Sequence, residues 1–269
     1  MAFARLAWLC IACAGVLAGC SKMPTGPSPT PSAIVLGSQP QVSAPTPPRI
    51  TLAPPRAVGL TRFVAFGDSI TWGAYSSFDP RFLFAAANGG YAERLQVGLN
   101  AYHAPQQFVV FNEGVPGEWA SDPRTLPRLR TAIVARQAQA VLLLEGVNDL
   151  SNGNGVARTI SGLGQLVNGA TSLGVPVVVA TMYQTYRSTS PDGVVRENGA
   201  AELAAYNAQI RALVAGRLNV HLVDLEPIMR NRSFVGNDGL HLTDPGFEVM
   251  ASAFLAAIEA AFPVRGSFQ

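Results

Sequence analysis

Lysine is almost missing from this chain. The one example is Lys22, and every other basic side chain apart from three histidines is arginine. That absence removes a P-loop, a Schiff-base lysine and a Ser–Lys dyad from everything beyond residue 22. Cysteine stops at Cys20, after Cys10 and Cys13, and the histidines are His103, His221 and His241. So sparse a set of ligands, with no HExxH run, leaves little from which to build a zinc site. A GxSxG nucleophile elbow is absent as well, which argues against the serine-esterase fold built around that turn. Acids are missing from one end: all 17 Asp and Glu lie beyond Arg56. Of the 19 Lys and Arg, only Arg5, Lys22, Arg49 and Arg56 precede them, so the remainder of the chain is close to neutral. Nothing there suggests the clustered basic face of a nucleic-acid binder. What is present is apolar: 48% of the 269 residues are hydrophobic and 13% charged, enough for one large domain with its own core.

The N-terminus reads as a targeting segment. "MAFARLAWLCIACAGVLAGC" places Arg5 before an apolar run and ends in small residues. The run, about a dozen residues, is short of a membrane span. Its end, Leu17-Ala18-Gly19-Cys20, resembles the lipobox of bacterial lipoproteins, whose cysteine is lipidated and becomes the mature N-terminus. That resemblance implies a signal peptide over 1–19 and a lipid anchor on Cys20; an ordinary signal peptide cut nearby is the other reading. Cys10-Ile11-Ala12-Cys13 has redox spacing without the βαβ context such a motif needs. Residues 20–59 then form a tether that holds half of the 20 prolines, among Ser, Thr and Ala. Such a composition buries too little apolar surface to offset its ordering entropy. In polyproline-like form it spans up to about 100 Å.

From residue 60 to 269 the pattern is that of one α/β domain. Short apolar runs recur at 63–66, 108–111, 141–145, 175–181 and 220–225. Helical stretches lie between them, such as 91–103 and 199–216, and a last amphipathic helix begins near Asp244, with Phe247, Met250, Phe254, Ile258 and Ala261 at spacings of three and four. Near-continuous apolar strands separated by helices predict a parallel sheet covered on both faces. Ligands of such sheets bind at the carboxyl ends of the strands, near a topological switch point. Ser69, in "FVAFGDSITWG" (63–73), falls at such an end.

A serine needs a base to become a nucleophile. His221 lies inside an apolar run and reads as a packed side chain, and His103 ends a helix, where an imidazole suits the C-terminal dipole. His241 sits in a turn-rich loop, "NDGLHLTDPGF" (237–247), with Asp238 three residues before it. A local turn there brings a carboxylate to one ring nitrogen and leaves the other for a serine, as in a Ser-His-Asp triad. Asp244 is the rival orienter, and Asp68 and Asp149 are supporting residues. Each piece alone has a plainer explanation. Asp68-Ser69 also suits a helix cap, and Asn148-Asp149 a turn.

In order along the chain come "GDSIT", "NEG", "GVND" and "DGLH". In these four blocks, spread over residues 61–262, the sequence resembles the SGNH hydrolases, also called the GDSL esterase/lipase family. Ile70 stands where leucine is usual, a volume-conserving change. The resemblance implies a flavodoxin-like three-layer α/β/α sandwich with a parallel sheet of about five strands. It implies a nucleophile at Ser69, a base at His241 and an orienter at Asp238. It also implies an oxyanion hole made by the N–H groups of Ser69 and Gly114 and the side-chain amide of Asn148.

The activity so implied is carboxylic-ester hydrolysis without metal or organic cofactor, in the cell envelope, on short-chain, aryl or lysophospholipid esters. O-deacetylation of, or acyl transfer to, envelope or plant polysaccharide uses the same residues and stays open. So does a binding lipoprotein that keeps the fold without catalysis. Aromatics in 74–90 (Phe78, Phe82, Phe84) and in 182–198 (Tyr183, Tyr186) are candidates for a substrate pocket. Oligomeric state is not legible.

Overall fold

The computed structural model describes residues 57–75, 84–187, 196–197 and 199–264. Cys20, the tether as far as Arg56, Phe78 and Phe82 lie outside the described residues, and so does the side chain of Tyr186; of the tether's last residues, Val58 is buried and bridges to Pro263.

Five strands form one parallel sheet: β1 (Arg62–Gly67), β2 (Val109–Gly114), β3 (Ala140–Leu144), β4 (Val177–Ala180) and β5 (Val220–Val223). Their order in space is β2-β1-β3-β4-β5. That is the flavodoxin-like doubly wound order, which reverses direction between β1 and β3. The apolar runs of β1 and β3 follow from burial on both faces: Phe63 to Phe66 and Ala140 to Leu144 have no exposed surface. At the edge, β2 is mostly half-buried, and its last residues are Asn112, Glu113 and Gly114. An edge strand tolerates such polar residues, so β2 runs three residues past the apolar stretch that marks it in the sequence.

The helices are α1 (Ser69–Trp72), α2 (Tyr91–Tyr102), α3 (Thr125–Arg136), α4 (Val147–Ser151), α5 (Gly155–Thr171), α6 (Ala200–Val214), α7 (Leu225–Ile228) and α8 (Asp244–Ala261). α2 packs on α8 along one face of the sheet; α3, α5 and α6 pack in series along the other. The stripe on α8 is buried from Phe247 to Ile258 as its spacing predicts, with Ala261 half-buried at its end, and Phe254 stacks on Tyr91 with ring centroids 4.9 Å apart. α5 gives a weak signal in sequence because it holds four glycines. For two of them the reason is contact: a Cβ on Gly162 would lie 2.5 Å from the Ala120 carbonyl oxygen, and one on Gly169 2.3 Å from Leu126 Cδ1.

Gly67 closes β1 in register with Gly114 on one side and Leu144 on the other. A Cβ there would lie 2.3 Å from the Leu144 carbonyl oxygen and 2.3 Å from Thr71 Oγ1. Only a bare α-carbon lets α1 fold back over the strand end with Ser69 as its first residue. Gly67→Ala is therefore expected to lower the unfolding free energy by about 1–3 kcal/mol in urea titration. Gly164→Ala, whose Cβ would meet nothing closer than Leu213 Cδ1 at 3.9 Å, is expected to be neutral or mildly stabilising.

Candidate active site

Asp68 and Ser69 follow directly from β1. Asp68 is the N-cap of α1, its Oδ1 accepting the Ile70 N–H at 2.8 Å. The helix-cap explanation of this pair is thus correct for Asp68. Ser69 begins the helix with its hydroxyl turned to another partner: Ser69 Oγ lies 2.9 Å from His241 Nε2. On the far side of the ring, His241 Nδ1 lies 2.7 Å from Asp238 Oδ2. Asp238 Oδ1 accepts the N–H groups of Leu240 and His241, both at 3.0 Å. A carboxylate on Nδ1 keeps the proton there, so Nε2 is the acceptor and Ser69 Oγ–H the donor.

Burial pushes the Asp238 carboxyl up, but the bond from His241 and the two backbone N–H groups outweigh it and leave it below its ordinary range. Asp244, the rival orienter, is the first residue of α8 and is ion-paired with Arg94. His103 caps the C-terminus of α2, and His221 sits on β5 with its ring edge-on to Phe262 at 5.2 Å.

Asn148, on α4 just beyond β3, brings its amide to the same strand ends. Its Nδ2 donates to the Glu118 carbonyl at 2.9 Å and leans on Asp68 Oδ2 at 3.4 Å. One amide hydrogen is firmly held; the other is held only by the longer contact.

Gly114 does not stand as the sequence suggests. It is the last residue of β2 and not in the loop beyond, and its N–H donates to Asn112 Oδ1 at 3.0 Å. Its missing side chain serves packing, since a Cβ would come within 2.1 Å of the Trp72 nitrogen. Three residues on, Gly117 has a φ of +79° and open space around it. Among the described residues, no protein atom accepts its N–H or that of Ser69. Sequence reasoning missed Gly117, although "VPG" is a turn signal right after the block it did mark.

The aromatic pocket is also different. Tyr183 has no exposed surface, and its hydroxyl donates to the Leu240 carbonyl at 2.7 Å, bracing the loop that carries His241. It offers nothing for a substrate to touch. Phe84 is 57% exposed, in a two-residue antiparallel ribbon with Tyr75.

Beneath the site lies a group of buried acids that the motifs do not explain. Asp149 accepts the N–H groups of Ala120 (2.7 Å) and Ser121 (3.1 Å). Glu118 pairs with Arg128, whose guanidinium carbon sits 3.8 Å above the ring centre of Phe66. Glu145, at the end of β3, accepts the Gly146 N–H at 3.1 Å. Burial, then the charges of Asp68 and Glu118, raise the Glu145 carboxyl well above its ordinary range. Burial likewise raises Asp68 to about 7, against the Ile70 N–H and the nearby His241. Among the described residues, no group of three or more His, Cys, Asp or Glu could hold a metal ion. No helix there is long and apolar enough to cross a membrane.

The model of the GDSL-like lipase/acylhydrolase family matches residues 65–249. No curated protein matches the chain in sequence. Among solved structures, the fold is similar to an aryl esterase of M. smegmatis at 19% identity and TM-score 0.64, covering 75% of this chain and 100% of that one. It is similar to a carbohydrate acetylesterase from Sinorhizobium meliloti at 18% identity and TM-score 0.62, covering 75% and 100%. A lipase/acylhydrolase from Enterococcus faecalis shares 21% identity at TM-score 0.61, covering 77% and 100%.

The raised acids carry a stability signature. Folded Asp68 and Glu145 hold protons that the unfolded chain releases at ordinary carboxyl pKa values. Their contribution is full in acid and is lost as pH rises through the folded pKa, near 7 for Asp68. Glu145→Gln keeps the shape of the neutral acid. It is expected to flatten the pH dependence of unfolding free energy between pH 5 and 8, by up to about 1.4 kcal/mol per pH unit. Urea titrations at each pH read this, and a profile parallel to that of the unmodified protein would mean that folded Glu145 is charged.

Proposed function

The chain belongs to the GDSL-like lipase/acylhydrolase family, and from that premise we propose that Ser69, His241 and Asp238 are the triad of a carboxylic-ester hydrolase. The observation that carries the reading is the unbroken relay from Ser69 Oγ to His241 Nε2 at 2.9 Å and from His241 Nδ1 to Asp238 at 2.7 Å. As Ser69 Oγ bonds to the ester carbonyl carbon, its proton passes to Nε2, and the charged ring is steadied by the Asp238 carboxylate. The carbonyl oxygen becomes an oxyanion among neutral donors: the Ser69 N–H, the loosely held Nδ2 hydrogen of Asn148 and, in place of Gly114, the Gly117 N–H. Each such donor typically lowers the barrier by about 3–4 kcal/mol.

Collapse of the intermediate expels the alkoxide, which takes the proton from Nε2. Water, deprotonated by the same nitrogen, then releases the acid from Ser69. Short acyl groups and aryl or lysophospholipid esters are the scope read from sequence. The burial of Tyr183 removes one support for an aromatic acyl pocket. Deacetylation of a polysaccharide is the second reading, favoured by a groove with an aromatic and four charged residues in its lining beside the Asn148 contact and by the likeness to the S. meliloti acetylesterase.

The same proposal sets the enzyme in the cell envelope, anchored by a lipid on Cys20 and reaching out on its Pro-rich tether. The run Leu17-Ala18-Gly19-Cys20 supports it.

Hydrolysis of p-nitrophenyl acetate tests the triad. Ser69→Ala and His241→Ala are expected to lower kcat by about 10⁴-fold or more, and Asp238→Asn by about 10⁴-fold. Asp244→Asn should leave kcat within a few fold. Labelling by a fluorophosphonate probe should vanish in Ser69→Ala, fall sharply in His241→Ala and persist in Asp244→Asn. Full activity in either alanine variant would refute the triad. For the anchor, Cys20→Ser should abolish incorporation of labelled palmitate and move the protein to the soluble fraction. Unchanged labelling would refute lipidation at Cys20.

A further inference from the structure

The loop after β2 and the start of α3 enclose a groove of about 720 Å³, within the usual range of small-molecule sites. Its position ties it to the candidate oxyanion hole. Val115, on its rim, donates its N–H to the Gly67 carbonyl at 2.9 Å, two residues before Ser69. Glu118, in its wall, holds the Asn148 amide through its carbonyl. Ser69 and His241 do not line the groove; these two backbone contacts are what join it to their end of the sheet.

The wall is rigid. The Trp119 carbonyl accepts Thr125 Oγ1 at 2.9 Å and the Asp122 N–H at 3.2 Å. The next two N–H groups, of Ala120 and Ser121, are bound by buried Asp149. Gly162 of α5 presses on Ala120 from behind. Trp119 itself is half-buried, and its neighbours Val115, Pro116 and Gly117 are exposed.

The chemistry of the lining selects an occupant. Both arginines in the groove are already matched by acids: Arg128 by Glu118, and Arg124 by Asp122 at 2.6 Å. Neither has an unmatched charge for an anionic group, and a lining in which four of the nine residues are charged suits a long acyl chain poorly. What the lining holds is a tryptophan, Trp119, alongside paired planar groups rich in donors and acceptors. Arg124, its side chain 89% exposed, keeps N–H groups that Asp122 does not take. A sugar has the matching surface: an apolar C–H face to lie on an aromatic ring, and hydroxyls around its edge that both give and accept hydrogen bonds.

We propose that this groove is the leaving-group subsite, and that it takes the sugar of an O-acylated saccharide, with Trp119 against the pyranose ring and the Asp122–Arg124 pair at its hydroxyls. The inference rests on the hydrolase reading of Ser69, and its test keeps the two apart. The first measurement is the ratio of kcat/KM for acetylated xylo-oligosaccharide to that for p-nitrophenyl acetate. The ratio should fall about tenfold or more in Trp119→Ala, less in Trp119→Phe, and severalfold in the surface variant Arg124→Ala. The second is calorimetric titration of Ser69→Ala with xylotriose, which should bind, and should cease to bind when Trp119→Ala is added. Circular dichroism checks that each variant is folded.

If p-nitrophenyl acetate is hydrolysed but the ratio stays constant and xylotriose does not bind, the saccharide assignment is overturned and the hydrolase reading stands. If Trp119→Ala instead depresses p-nitrophenyl octanoate relative to acetate, the groove holds the acyl chain and the proposal falls. If xylotriose binds while no ester is hydrolysed, the groove is a sugar site but not a leaving-group subsite.

Discussion

The contact between Ser69 Oγ and His241 Nε2 joins side chains 172 positions apart in the sequence, and much of the fold bears on holding it. On one side, β1 is paired on both edges and buried on both faces, so its end is among the least mobile points of a sheet. Asp68 then turns the chain into α1 by capping it, which fixes where the serine oxygen points. On the other side, the loop before α8 has no strand to stiffen it. It is held by its own Asp238, which binds two backbone N–H groups and the imidazole at once. Tyr183 binds it from below through the Leu240 carbonyl. Thr243, capping α8, donates through its hydroxyl to the Ser233 carbonyl.

The acids under the site show how such a centre is kept polar inside an apolar core. A buried carboxylate without partners is too costly to persist as an anion. Each one here meets the cost differently. Asp149 is satisfied by two N–H groups, Glu118 by Arg128, and Glu145 by holding its proton. The outcome is a platform for Asn148 whose neutral amide is oriented by the Glu118 backbone carbonyl. Neutral donors of that kind steady a developing negative charge without binding the anionic product too firmly.

The sequence made the architecture legible because strands buried on both faces cannot hide their composition, and because α8 carries an apolar stripe on a single face. It was less clear where packing replaces chemistry as the reason for a residue. The glycines of α5 weaken its helical signal, yet two of them, Gly162 and Gly169, let it approach Ala120 and Leu126. Gly114 is the sharpest case. In sequence a glycine next to a marked block looks like a backbone donor, but here it makes room for α1, and its N–H is already used. Tyr183 misleads in the opposite sense, as an aromatic beside a strand end that is spent on bracing a loop.

From the sequence alone came the apolar strand runs, the amphipathic last helix, the want of lysine and of metal ligands, and the serine, asparagine and Asp-x-x-His blocks in their order. These are local properties, set by composition and by spacing along a few residues, and they are readable without knowing what lies opposite. Tertiary structure decided which acid serves His241, because Arg94 from α2 claims Asp244 and leaves Asp238 to the imidazole. It decided too that, among the described residues, Gly117 and not Gly114 keeps an N–H no protein atom takes, and that a groove holding two acid–arginine pairs lies next to the carbonyl that binds Asn148. The reason is the same throughout: a donor or a charge is free only when nothing folded against it has taken it, and those partners come from segments far away in sequence.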